Sequence, residues 1–153
     1  MHLPELARLR DSREIVLTQV CDIDRERAAA ARRQFGFLED GGDGVAALLR
    51  SDIDAVYIFA SAQLHHEYGL TALQNGKHLF VEKPIAPSYS QAHALALAAR
   101  ARGLIAAGGH NRRFYKSLAA ARTRAGREAG APPKRHSTSR STQSECRLAR
   151  KVG

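Results

Sequence analysis

The chain's 153 residues make one ordinary domain, long enough to bury a core. No apolar run approaches the ~20 residues of a membrane span and no signal-peptide pattern opens the chain, so a cytoplasmic protein with no membrane partner is expected. The net charge of +9 raises the question of a nucleic-acid partner, while two cysteines, Cys21 and Cys146, are too few for a metal cluster or a disulfide framework.

Leu3, Leu6 and Leu9 recur at helical spacing across residues 3–11. "EIVLTQVCD", 14–22, is β-branched and reads as a strand that ends in Asp22. "DRERAAAARRQFG", 24–36, reads as a helix capped by Asp24 and stopped by Gly36. Phe37-Leu38 suggests a short strand, followed by a Gly/Asp turn and a brief helix over 44–50. "IDAVYIFA", 53–60, is a buried strand, and "QLHHEYGLTALQNG", 63–76, a helix with Leu64, Tyr68, Leu70 and Leu73 toward the sheet. His78-Leu79-Phe80-Val81 is an apolar strand that stops abruptly at Glu82-Lys83-Pro84. An Ala-rich helix over 88–103, capped by Ser88 or Ser90, and a short strand over 104–111 complete the pattern.

Strands alternating with helices of this length imply a parallel sheet with helices on both faces. Ligands of such sheets bind at the carboxyl ends of the strands. Asp22, Ser61, Glu82, Lys83 and His110 all fall at such ends.

These segments resemble, in order and spacing, the N-terminal half of the Gfo/Idh/MocA oxidoreductases, the family of glucose–fructose oxidoreductase and inositol dehydrogenase. The resemblance rests on "VCDIDRERAAAARRQFG", on the run from "DIDAVYIFASAQLHH" through Glu82-Lys83-Pro84, and on "GGHNRRF", and it covers roughly residues 2–120. It implies an NAD- or NADP-binding domain and hydride transfer to or from a sugar- or polyol-like substrate. Asp22 then falls where a carboxylate meets the adenosine ribose, which slightly favours NAD. Lys83 matches the motif lysine beside the nicotinamide and the substrate hydroxyl, the one catalytic residue expected, with Glu82 orienting it and Pro84 fixing the turn through a cis bond. His65 matches the family histidine after the strand over 53–60, a position that suits either cofactor contact or a structural hydrogen bond. Ala60, Ser61 and Ala62 stand where the family usually has Thr-Pro-Asn, which leaves the Ser61 hydroxyl and the backbone for contacts. Asn111 and Arg112 match the segment that lines the substrate side. No metal is expected.

The family begins with a strand and a Gly-x-Gly-x-x-Gly turn that seats the pyrophosphate. Neither is present here, and "MHLPELARL" resembles the middle of the helix that follows those glycines. The expected fold is therefore α/β: an incomplete Rossmann-type, doubly wound parallel sheet over 1–120, lacking the first strand and glycine loop. Residues 121–153 read as a basic low-complexity tail, with the family's second domain absent. The loss of hydrophobic patterning after about residue 125 has the character of a truncated or out-of-frame reading of a once complete enzyme, and hydride transfer by this chain alone should be impaired.

The charge divides sharply. Residues 1–111 carry 12 Lys+Arg against 13 Asp+Glu, whereas 112–153 carry 12 against 2. A second reading follows, a non-catalytic fragment that binds nucleic acid through salt-sensitive phosphate contacts of its tail. The family resemblance and the lack of an aromatic platform make that partner the less expected one. Unpaired sheet edges also suit a homo-oligomer, or docking onto a full-length relative.

Overall fold

A computed structural model of the chain describes residues 2–111 and 115–128. The chain divides into two units, one ending at Gly109 and one beginning at His110.

The first unit runs α1 (Leu3–Asp11), β1 (Gln19–Cys21), α2 (Arg25–Phe35), β2 (Glu39–Gly41), α3 (Gly44–Leu49), β3 (Ala55–Ile58), α4 (Ala62–Gln74), β4 (His78–Val81), α5 (Tyr89–Ala101) and β5 (Ala106–Gly108). The helix boundaries follow local chemistry. Asp24, Asp43, Ser61 and Ser88 cap α2, α3, α4 and α5, each side-chain oxygen accepting from backbone N–H groups of the first turn. Gly36 ends α2 at φ 71°, a left-handed conformation that glycine adopts without steric cost.

All strand pairs are parallel, as the βα alternation requires. The parallel sheet comes in two pieces. β1 pairs with β2, and β3, β4 and β5 form a second sheet with β4 in the middle. No ladder joins β1 to β3, and a cavity of about 750 Å3 is lined by both.

Two strands are shorter or displaced relative to the sequence reading. The expected strand over 14–22 is regular only at Gln19–Cys21, although Leu17 and Thr18 already accept from the N–H groups of Leu38 and Glu39; its start is taken up by Glu14, whose N–H closes the turn after α1 on Leu9 O at 3.0 Å. Ile15 and Leu17 are buried but serve a small core with Leu6, against which Leu3, Leu9, Phe37 and Tyr57 pack. The strand expected at Phe37-Leu38 begins at Glu39 instead, since Phe37 is spent on that core.

The larger core joins α3, α4 and α5 to the three-stranded sheet through Leu48, Ile58, Ala72, Leu73, Leu79, Val81, Leu95 and Ala99. Leu73 is fully buried. Lys77, before β4, is also buried, and its ammonium donates to the carbonyls of Arg50 and Ile53. A buried cation is tolerable there because it caps the loop that feeds β3.

In the second unit, α6 (Lys116–Glu128) extends into the segment expected to lack structure. "KSLAAARTR" is rich in strong helix formers, so local propensity suffices where no hydrophobic period exists. The remaining tail, with Cys146, lies outside the described residues, as does Arg112. Among the described residues, no helix is long and apolar enough to cross a membrane.

Candidate functional site at the strand ends

The register aligns Ile58, Val81 and Gly108, so β3, β4 and β5 finish side by side. The residues that follow them, Phe59–Ser61, Glu82–Pro84 and Gly109, form a common rim. Five of the six residues singled out from sequence, Asp22, Ser61, His65, Glu82 and Lys83, belong to the first unit. Asn111 belongs to the second.

Glu82 is anchored by two hydrogen bonds. Its Oε1 accepts from His2 Nε2 at 2.6 Å, and its Oε2 accepts from the N–H of Lys83 at 2.8 Å. The Lys83 N–H and the His2 imidazole hold its carboxyl below the usual range, so the carboxylate form is favoured. Gly109 leaves it room: a Cβ there would stand 2.8 Å from the Glu82 carboxyl carbon. Glu82 thus fixes the backbone of Lys83, while the Lys83 side chain remains exposed.

The bond between Lys83 and Pro84 is cis. The Pro84 carbonyl accepts from Nδ1–H of His65 at 2.8 Å, and the other ring nitrogen, Nε2, accepts from the N–H of Ala60 at 3.2 Å. This pair of bonds assigns the neutral tautomer with the proton on Nδ1. His65 is 1% exposed and both of its nitrogens are engaged by main chain. It therefore acts as a positioning residue, tying the loop after β3 to the turn after β4.

Ser61 sits between them as the N-cap of α4, its hydroxyl accepting from Leu64 N–H at 3.4 Å. At the end of β1, Asp22 accepts from the N–H of Asp24 at 2.9 Å and lies 3.2 Å from the Arg27 guanidinium. One carboxylate oxygen thus shapes the turn and meets a cation.

His2 is a participant that sequence reasoning missed. Besides Glu82, its ring stacks on Phe59 at 5.1 Å and meets Phe80 at 5.3 Å, which brings the start of α1 to the rim. No sequence pattern marks this contact, because residues eighty positions apart meet only in the fold.

Tested against a dinucleotide, the rim fits unevenly. A carboxylate at the end of β1 suits ribose hydroxyls, and the exposed ammonium of Lys83 suits a reacting oxygen. The start of α1 does not suit a pyrophosphate. Pro4 lacks an N–H, and Glu5 puts a negative charge in the first turn.

A family model described as "Oxidoreductase family, NAD-binding Rossmann fold", GFO_IDH_MocA, matches residues 1–110. The chain is 37% identical over 92 residues to 4-carboxy-2-hydroxymuconate-6-semialdehyde dehydrogenase of a Sphingobium strain, which covers 60% of the chain and 29% of that protein. It is 34% identical over 104 residues to inositol 2-dehydrogenase 3 of Saccharopolyspora erythraea, covering 67% and 29%. Among solved structures, levoglucosan dehydrogenase in complex with NADH and levoglucosan matches with TM-score 0.65 and 29% identity, over 75% of this chain and 30% of that one. A 3-ketoreductase from Actinomadura kijaniata in complex with NADP and TDP-benzene matches with TM-score 0.64 and 30% identity, over 75% and 34%. The chain spans less than a third of the length of the curated relatives it matches, 29% of each of these two.

Proposed function

Because the chain belongs to the Gfo/Idh/MocA oxidoreductases, we propose that its first unit is the NAD(P)-binding half of a hydride-transfer site for a sugar- or polyol-like substrate. The observation that carries this reading is the turn after β4. There an exposed lysine follows a carboxylate anchored by two hydrogen bonds and precedes a proline whose carbonyl is held by a buried histidine. Such a turn presents an ammonium at a defined place on the ligand-facing rim.

In this reading the cofactor supplies or accepts the hydride. Lys83 polarises the substrate oxygen and stabilises charge developing on it. Glu82 holds the Lys83 backbone, and His65 positions the turn through Pro84. Asp22 accepts from the ribose hydroxyls and disfavours a 2′-phosphate, so NAD is preferred over NADP. Ser61 contributes its hydroxyl beside the cofactor.

The test is a titration of the chain with NADH, followed by nicotinamide fluorescence. Binding at micromolar to submillimolar concentration supports the reading, and no binding at several millimolar rejects it. The cationic segment after Asn111 supports a second reading, sequence-independent binding of nucleic acid. That reading requires affinity for duplex DNA to fall steeply with salt, and a salt-insensitive curve rejects it.

A further inference from the structure

The residue at the head of α1 uses its side chain differently from its counterparts. Asp24, Asp43, Ser61 and Ser88 stand at the N-caps of the next four helices, and each side chain accepts from the first turn. His2 stands at the N-cap of α1, where its carbonyl accepts from Leu6 N–H at 3.0 Å, but its side chain makes no capping bond. The imidazole reaches instead to Glu82 in the turn after β4.

Three groups fix that ring. One face stacks on Phe59 with the planes 14° apart, and Phe80, itself stacked on Tyr57, meets it at 5.3 Å. The third is Glu82, held as a carboxylate, which only accepts, so His2 Nε2 is the donor. The carboxylate is confined as well. Its Oε2 takes the Lys83 N–H, and Gly109 packs so closely that a Cβ there would stand 2.8 Å from Oε1. Besides His2, the charge of Lys83 also acts on Glu82. A released Oε1 would turn to that ammonium and cancel its charge at the rim. With Oε1 on His2, the Lys83 side chain stays exposed.

We propose that His2 is a positioning residue for Lys83: it holds the Glu82 carboxylate off the Lys83 ammonium and so leaves that charge available to a reacting substrate oxygen. The proposal rests on the hydride-transfer reading of this turn, in which Lys83 must face a substrate and not its own neighbour. The His2 and Glu82 side chains are 37% and 27% exposed, so water weakens their bond, and the stacking on Phe59 and Phe80 keeps the ring in place. His2 touches neither cofactor nor substrate in this role. It acts through Glu82.

The experiment labels the lysines of the whole chain by reductive methylation and reads the rate at Lys83 against that at Lys116 by peptide mass spectrometry. Only the unprotonated amine reacts, and a carboxylate partner keeps an amine protonated. His2→Phe retains a ring against Phe59 and Phe80 but loses the donor, and Lys83 should then react about threefold more slowly, the effect of an exposed ion pair. His2→Gln keeps a donor and should restore the original rate. Glu82→Ala in the His2→Phe background removes the competing carboxylate and should restore it too. An unchanged rate in His2→Phe, or equal slowing in His2→Gln, would overturn the proposal, as would faster labelling of Lys83 in every variant. Labelling of the buried Lys77 reports unfolding. If His2→Phe exposes Lys77, the comparison of His2→Gln with His2→Leu decides, the first expected fast and the second slow. A parallel NADH titration keeps the two readings apart: no binding by the unsubstituted chain rejects the dehydrogenase reading, while the labelling rates still decide what His2 does to Lys83.

Discussion

His65 donates from Nδ1 to the carbonyl of Pro84 at 2.8 Å, joining residues nineteen positions apart, while its Nε2 accepts from Ala60. The buried ring therefore connects two loops of the candidate site without offering a free nitrogen to a ligand. His65→Phe preserves the aromatic volume but removes both bonds, so the Ala60 N–H and the Pro84 C=O lose their shared partner. Chemical denaturation should show a loss of about 1–3 kcal/mol. NADH affinity should fall as well, because the Lys83 turn loses its tether.

Gly109 offers a gentler perturbation of the same turn. Gly109→Ala places a methyl group against the Glu82 carboxylate, which must shift away. Weaker NADH binding is expected, with loss of the His2–Glu82 contact visible in the His2 imidazole resonances. Unchanged binding would separate the Glu82 anchor from the cofactor site.

Asp22 controls cofactor choice in the proposed reading. Asp22→Ser removes a charged acceptor and should weaken NADH binding about 10–100-fold, the range for hydrogen bonds to a charged group. NADPH should lose less. Parallel titrations with the two reduced cofactors check the change in ratio.

Acid stability should depend on Arg50, which clamps Glu39 on β2 and Asp52 before β3. The Arg50 guanidinium hydrogen bonds pull Asp52 down to about 2 and hold Glu39 below its usual value. Carboxylates with depressed folded values add stability above their unfolded values near 4, and that stability disappears as pH falls toward 2. Melting temperatures should thus decline from pH 4.5 to 2. Both carboxylates are solvent-exposed, so the effect is modest and shrinks with salt. In Arg50→Met the decline over this window should be flatter.

The core supplies a larger effect. Leu73 is completely buried among α4, the sheet and α5. Leu73→Ala should cost about 2–5 kcal/mol in denaturant unfolding. A marginal domain would then unfold near room temperature, which circular dichroism would register.

The helices of the first unit were legible in sequence to within a residue or two, since Asp24, Gly36, Ser61 and Ser88 act through neighbours in the chain. The strands were less so. Ile15 and Leu17 have the composition of a strand, yet the regular ladder begins beyond them at Gln19, and a ladder depends on what lies alongside. The strand-end residues Asp22, Ser61, Glu82 and Lys83 were recognisable from their places after strands. The partners His2 and Gly109 of Glu82 were not.

By itself the sequence determined the alternation of strands and helices, the neutral first unit with its basic extension, and the Glu82-Lys83-Pro84 turn that marks the family. These are properties of spacing, local capping and composition, and they survive without knowledge of the fold. Only the tertiary structure decided that His65 spends both nitrogens on main chain, that His2 anchors Glu82, and that β1 and β3 flank a cavity instead of pairing. Each of these depends on groups distant in the chain coming within a few ångströms, which periodicity does not encode.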